Sequence, residues 1–94
     1  PDDDAAEHRA ADAVETADIA ERHYRALIDH YGHVVGLRAA RKHLGWYLAR
    51  IGEAGETQLP GALRAAAMQS TDPEQVVGIL RSAARMATVR GMAA

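Results

Sequence analysis

The fold is decided by residues 23–51, which read HYRALIDHYGHVVGLRAARKHLGWYLARI. Apolar side chains recur here at intervals of three and four residues on both sides of Gly32, which is the spacing of helices with one buried face. Gly32 itself lies where a glycine in a left-handed conformation would end a helix. We therefore predict two consecutive amphipathic helices, over about residues 3–31 and 33–51.

The apolar positions of each helix define the face that we expect to be buried. In the first helix these positions are Ala17, Ala20, Tyr24, Leu27, Ile28 and Tyr31. In the second helix they are Leu37, Ala40, Leu44, Tyr47, Leu48 and Ile51. At 100° per residue, the side chains that then point away from the core are those of Arg38, Lys42, Gly45, Trp46 and Ala49.

Two more helices are predicted after a loop rich in glycine, IGEAGETQLPG. The third covers about residues 60–69. The inward positions of this helix are Leu63, Ala66, Ala67 and Met68.

The fourth helix covers about residues 73–89 and has a clear start. Asp72 can cap it, Pro73 suits the first turn, and Gln75 completes a capping-box pattern. Its buried positions are Val76, Leu80, Ala83, Ala84 and Ala87. Four amphipathic helices with short connections predict an all-α, antiparallel four-helix bundle that forms a single domain over residues 1–94.

Length and composition limit what such a domain can do. With 94 residues the chain makes one domain. It contains no cysteine, which excludes a disulfide, a thiolate nucleophile and a zinc–thiolate site. No apolar run approaches the length of a membrane span, and the acidic opening PDDDAAEHR is unlike a cationic targeting peptide. The start at Pro1 suggests a piece excised from a longer protein, and we expect it to be cytoplasmic and monomeric.

Charge is distributed unevenly along the chain. Nine carboxylates lie in the first thirty residues, whereas residues 32–51 carry only basic charges. A cationic helix that contains an aromatic residue is an electrostatic footprint for phosphate. Arg38 and Lys42, one helical turn apart, would form a short row of positive charge that ends next to Trp46. The candidate RNA-binding residues of this helix are Arg38, Arg41, Lys42, His43, Trp46 and Arg50.

Plainer interpretations of the same residues remain open. A charge cluster on a helix is usually a solvated face, and Arg41 could pair with the acidic first helix. Trp46 would be buried if the helix phase were off by one position, and His43 could be a surface histidine without a function. The rival class is a helical protein-interaction module in which RNA plays no part.

Neither metal nor acid–base chemistry is predicted. His30 and His33 are three residues apart, but they straddle Gly32 and would not share a helical face. No set of three or four convergent ligands can be assembled around them. Asp72 and Glu74 are explained by the helix start that they precede or open. We therefore assign no catalytic residue and no metal ligand.

The residues from His23 to Ile51 resemble the C-terminal helical domain of bacterial tRNA-dihydrouridine synthases, most closely the B-type branch. The most specific part is ARKHLGWYL, from Ala40 to Leu48, which follows the HYG that ends at Gly32 and the GLR that ends at Arg38. The match is dense over about a third of the chain. Further on, PGALRAAAMQSTDPEQVVGIL is similar in pattern to the third and fourth helices of that domain.

The resemblance implies that the parent enzyme has two domains with different functions. Enzymes of this family have an FMN-binding TIM barrel, in which NADPH reduces the flavin, the flavin reduces a uridine of tRNA, and a cysteine donates the proton. The helical domain that follows the barrel holds the tRNA. With no cysteine and no barrel, this chain is expected to be catalytically inert and to need neither FMN nor NADPH itself. Its expected partners are tRNA and the barrel.

The resemblance also implies roles for individual residues of the second helix. The tRNA-contacting motif covers Arg38, Arg41, Lys42 and His43, with Trp46 and Tyr47 beside it. We expect Arg38 and Lys42 to bind phosphates, Trp46 to pack on a ribose or base or on the barrel, and Tyr47 to belong mainly to the core. Which of the remaining arginines share this side of the domain is not evident from the sequence. These arginines are Arg50, Arg64, Arg81, Arg85 and Arg90.

Overall fold

Between residues 2 and 93 the chain folds into three helices. The computed structural model describes the backbone of residues 2–93 and the side chains of residues 5 and 7–88. The helices are α1 (Asp2–Ala54), α2 (Gly61–Gln69) and α3 (Pro73–Ala93). The all-α prediction is therefore confirmed, with no strand between residues 2 and 93.

The prediction of a four-helix bundle is corrected to three helices, because the first two predicted helices form the single element α1. Within α1 only Gly32 departs from helical geometry, with φ 84° and ψ 171°. That region of backbone space is open to glycine and almost closed to other residues. Since one residue makes the bend, no loop separates the two parts, which we call the first arm (residues 2–31) and the second arm (residues 33–54).

The two arms run antiparallel and lie in close contact. A straight helix of 53 residues would be about 80 Å long, whereas the longest extent of the molecule is 46 Å. Near the bend, a Cβ added at Gly36 would lie 2.6 Å from Cα of Ile28. Further along the arms, Nδ1 of His23 lies 3.1 Å from the Tyr47 hydroxyl. The small residue at position 36 therefore allows the arms to pack backbone to backbone.

The core lies between the two arms and α3. The predicted inward residues of the second arm and of α3 are buried, and Tyr47 is half-buried. In the first arm Ala17, Ala20 and Tyr24 are buried as predicted. In α2 only Ala67 is buried, and Leu63 and Met68 pack against the core from its edge.

Tyr31 was predicted to be buried, and that prediction is wrong. Its side chain is 52% exposed, and Val34 across the bend is 68% exposed. The reason lies in α3, which begins beside Arg25 of the first arm, as the ion pair between Arg25 and Glu74 shows. The bend at Gly32 extends beyond the start of α3. Because α3 does not cover the apolar side chains of the bend, they remain exposed to solvent.

The start of α3 differs from the predicted capping box. Oδ1 of Asp72 accepts a hydrogen bond from the Glu74 N–H at 3.0 Å, which confirms Asp72 as the cap. Gln75 does not reach back to the backbone of Asp72. Instead, Ser70 Oγ donates to Gln75 Oε1 at 2.6 Å and accepts the Asp72 N–H at 3.1 Å. The hydroxyl of Ser70 thus takes the place that Gln75 has in a capping box.

Ion pairs connect α3 with the first arm. Arg81 pairs with Asp18 and with Glu21, the latter at 2.6 Å. Arg25 pairs with Glu21 at 3.0 Å and with Glu74 at 2.9 Å. Hydrogen bonds from Arg81 and then from Arg25 lower the pKa of Glu21, because they stabilise its ionised form. We call these five residues the acidic network.

Candidate nucleic-acid interface

The second arm of α1 presents a cationic surface on the side opposite its buried stripe. Leu37, Leu44 and Leu48 face the core. Because the helix turns 100° per residue, Arg38 and Lys42 then point outward, and both side chains are exposed. We refer to Arg38, Arg41 and Lys42 together as the cationic strip.

The described carboxylates of the first arm do not neutralise the cationic strip. Among residues with described side chains, no carboxylate pairs with any of its three members. The carboxylates of the acidic network are occupied by Arg25 and Arg81 instead. Like charges spaced three and four residues apart on a helix repel one another, so the strip is an unfavourable arrangement unless an anion binds there.

Arg41 is the least exposed member of the strip. Its side chain is half-buried, and its Nε atom is inaccessible to solvent without a hydrogen-bond partner. The residue lines a cleft of about 210 Å³ together with Val34, Leu37 and Thr71. The alternative that Arg41 pairs with the first arm is not what the described side chains show. Thr71, which lines the same cleft, belongs to the connection between α2 and α3.

Trp46 is exposed beside the cationic strip. It is 59% exposed, one helical turn beyond Lys42, so the alternative of a buried indole is excluded. The Tyr47 ring meets the indole edge to face, with centroids 5.1 Å apart. Arg50 places its guanidinium carbon 5.5 Å from the indole centroid and also pairs with Glu53 at 3.4 Å. Part of the charge of Arg50 is therefore already balanced.

His43 takes part in a contact between the arms that sequence reasoning missed. Its exposed ring lies 4.8 Å from the ring of His23 on the first arm. His23 in turn contacts the hydroxyl of Tyr47. Antiparallel pairing about Gly32 would have placed residue 23 opposite positions 41–43, and this was the available signal. His43 therefore lies at the contact between the arms, next to Lys42 in the sequence.

Arg64 of α2 lies on the same side of the molecule as the strip. Its Nη2 and Nε atoms are 3.2 and 3.3 Å from the position that a Cβ would take at Gly45. Arg81, by contrast, belongs to the acidic network, and Arg85 bonds to Ser82 on its own helix. The side chain of Arg90 lies outside the described residues.

The histidine and acidic side chains near this surface are the candidate metal ligands. Across the described residues, no group of three or more histidine or acidic side chains is placed to hold a metal ion. His30 contacts the ring of Tyr31 edge to face, with centroids 4.5 Å apart. What the arrangement offers a ligand is exposed positive charge next to an aromatic ring, the chemistry of phosphate and base contact.

The fold and the surface define a small helical domain with a cationic face that carries an aromatic residue. A family model described as dihydrouridine synthase matches residues 2–88. The chain therefore belongs to the dihydrouridine synthase family, as the motif around ARKHLGWYL predicted. The B-type branch stays a prediction.

Curated relatives agree with the family model. The chain is 49% identical over 76 residues to a protein of Rhizobium leguminosarum bv. phaseoli named probable tRNA-dihydrouridine synthase, covering 81% of this chain and 22% of the relative. A protein of Rhodobacter capsulatus with the same name is 44% identical over 69 residues, covering 73% of this chain and 19% of the relative. The chain thus spans about a fifth of these relatives. No solved structure matches it.

Two properties of the described residues bear on cofactors and membranes. A groove of about 450 Å³ runs between the second arm and α2, where Arg64 and Glu53 are its charged residues. A flavin mononucleotide needs an enclosed slot for its ring and several donors for its phosphate, and this open groove does not fit that group. Over the described part of the chain, no helix is both long and apolar enough to span a membrane.

Proposed function

We propose that this chain is the tRNA-recognition module of a tRNA-dihydrouridine synthase. In this proposal it holds tRNA through the sugar–phosphate backbone and so orients the molecule for the enzyme. The observation that carries the proposal is the cationic strip, which stays unpaired beside an exposed Trp46 while the nearby carboxylates pair with other arginines. The names of the relatives support tRNA as the partner.

The residues of the surface suit different parts of a nucleotide. Arg38 and Lys42 are exposed, unpaired cations one turn apart, which suits successive phosphates. Trp46 offers a flat apolar face to a ribose or a base. In this proposal His43 donates to a phosphate, and Arg50 supports the indole from 5.5 Å. Arg41, with its buried Nε, would bind at the edge of the strip.

The reaction itself is proposed to take place elsewhere in the parent protein. There, an FMN-binding barrel would use NADPH to reduce a uridine that has been drawn out of the folded tRNA. The described residues of this chain would contribute orientation, which lowers the barrier by fixing the target relative to the flavin. The module would act as a monomer attached to that barrel.

A salt titration tests this proposal directly. About four neutralised phosphates predict that the logarithm of the tRNA association constant falls with the logarithm of salt concentration at a slope of about −3 to −4. Filter binding or a mobility shift with total tRNA measures it. Absence of binding even at low salt would instead favour a helical protein-interaction module with no RNA role.

A double variant locates the binding surface. Changing Arg38→Ala and Lys42→Ala together should weaken binding to most tRNAs alike, because backbone contacts do not read sequence. The slope should become shallower by about 2. The control changes Arg85→Ala, an exposed cation one turn beyond Arg81 of the acidic network, and should bind like the parent. Circular dichroism should be unchanged in both, and equal losses in both would contradict the placement of the site.

A further inference from the structure

The cationic strip lies on one helix, but its electrostatic surface extends onto a second. Arg64 is exposed on α2, and its guanidinium lies over Gly45 of the second arm at 3.2–3.4 Å from the position of an added Cβ. Residues three and four positions apart on a helix are surface neighbours. Gly45 is such a neighbour of both Arg41 and Lys42, so the guanidinium of Arg64 projects next to the strip.

The small size of Gly45 eases this approach, because an added Cβ would lie 3.2 Å from Nη2 of Arg64, closer than ordinary van der Waals contact. A helix interior disfavours glycine by about 1 kcal/mol relative to alanine. Here the absent side chain leaves room for the long side chain of Arg64 to cross from α2. Leu63, the preceding residue, packs against the core. This contact holds in place the part of α2 from which the Arg64 side chain extends.

Arg64 differs from the arginines that stabilise the fold. Arg25 and Arg81 each pair with two carboxylates, and Arg50 pairs with Glu53. Of the described carboxylates, none pairs with Arg64. Glu53 borders the same groove but is engaged by Arg50 at 3.4 Å. A fourth cation thus lies beside the three others, and none of the four has a carboxylate partner among the described side chains.

We propose that Arg64 binds an RNA phosphate and that the interface is a composite of the second arm and α2. This inference rests on the proposed function and extends it to a residue outside the family motif. The planar guanidinium suits bidentate contact with phosphate oxygens. With two helices contributing, a phosphate held by Arg64 would be offset sideways from those held by Arg38 and Lys42. The module would then fix the direction in which the RNA strand crosses the surface, as well as the distance of the strand from the second arm.

The test compares two glutamine variants in the salt titration with total tRNA. Arg64→Gln should make the slope shallower by about 0.9, because one counterion-releasing contact is lost. Arg85→Gln is the matched control, an exposed arginine on α3 that also lacks a carboxylate partner among the described residues. It should keep the parent slope. Arg64→Lys should retain most of the slope, since the charge remains.

The outcomes separate this inference from the proposed function. If the parent binds tRNA with the expected slope and Arg64→Gln leaves that slope unchanged, the role of Arg64 is refuted while the strip stands. If the parent does not bind, both fail. If Arg64→Gln loses helicity, the role of Arg64 is tested on the unmodified chain instead, by following the NMR signals of the arginine Nε–H groups. The Arg64 signal should shift on adding tRNA and that of Arg85 should not, and an unmoved Arg64 signal beside a shifted Arg38 signal overturns the inference.

Discussion

At the scale of single residues, Gly32 has the largest effect on the shape of the molecule. Its backbone conformation, φ 84° and ψ 171°, reverses a helix of 53 residues within one position. No side chain or neighbouring atom restricts the space around it, because an added Cβ would meet nothing within 4 Å. Glycine is therefore required at position 32 because of its backbone conformation and not because of crowding. A substitution by alanine tests this conformation without creating a clash.

Replacing Gly32→Ala should lower the free energy of unfolding by about 1–3 kcal/mol, because a Cβ disfavours this backbone conformation. Chemical denaturation followed by circular dichroism measures the change. Gly78→Ala is the matched control, since an added Cβ there also meets nothing within 4 Å but the residue lies inside α3. That variant should be more stable than the parent by about 0.5–1 kcal/mol. Changes of the same sign at both positions would contradict the argument.

At the scale of elements, the start of α3 is determined by a local network of hydrogen bonds. Asp72 accepts the N–H of Glu74, and Ser70 connects the Asp72 backbone to the side chain of Gln75. Ser70 is largely buried, so its hydroxyl bonds are shielded from water. The position of this start decides where α3 meets the first arm, and therefore how far the bend at Gly32 extends into solvent.

Asp72→Ala should cost about 1 kcal/mol of stability, because the Glu74 N–H loses its acceptor at the helix end. Asp72→Asn keeps an acceptor oxygen and should lose much less. Thermal denaturation of the two variants beside the parent measures the difference. An equal loss in both variants would show that the charge of Asp72 matters rather than its hydrogen bond.

At the scale of the whole molecule, opposite charges are sorted onto different surfaces. The acidic network joins the first arm to α3, and the cationic strip with Arg64 lies on the second arm and α2. A net charge of −2 conceals this separation. The carboxylates of the network pair with Arg25 and Arg81, and no described carboxylate pairs with a member of the cationic strip.

The acidic network should make stability depend on pH. Arg81 and Arg25 lower the pKa of Glu21 below its ordinary value of 4.5, and Arg25 lowers that of Glu74. The stabilisation is therefore complete above the pKa of the unfolded chain and is lost as pH falls through the lower pKa of the folded state. We expect the free energy of unfolding to decrease between about pH 5 and about pH 3.

Glu21→Gln should flatten part of this decrease and lower stability at pH 7 by roughly 1 kcal/mol. Urea denaturation at several pH values measures both effects. The control is Glu15→Gln, an exposed carboxylate on the same arm with no ion pair among the described residues. It should show the same pH dependence as the parent. If the free energy of unfolding of Glu21→Gln fell with pH as steeply as that of the parent, the network would not be the source of the pH dependence.

Much of the fold and of the candidate site could be predicted from the sequence. The buried stripes of the second arm and of α3 follow from helical periodicity, and the same 100° rotation predicts the exposure of Arg38, Lys42 and Trp46. The exposure of Tyr31 could not be predicted in this way. Periodicity assigns a face to a residue, but whether a neighbour covers that face depends on where α3 begins.

By itself, the sequence determined the helical class, the bend at Gly32 and the outward face of the second arm, because each depends on local spacing or on the backbone freedom of one residue. The family followed from the resemblance of the motif ARKHLGWYL, not from spacing. Only the tertiary structure decided which charges are paired. Arg64 and Arg81 are both arginines on helices, yet one projects over Gly45 beside the strip and the other bonds to Asp18 and Glu21. Pairing is a matter of distances between elements, which no local pattern encodes.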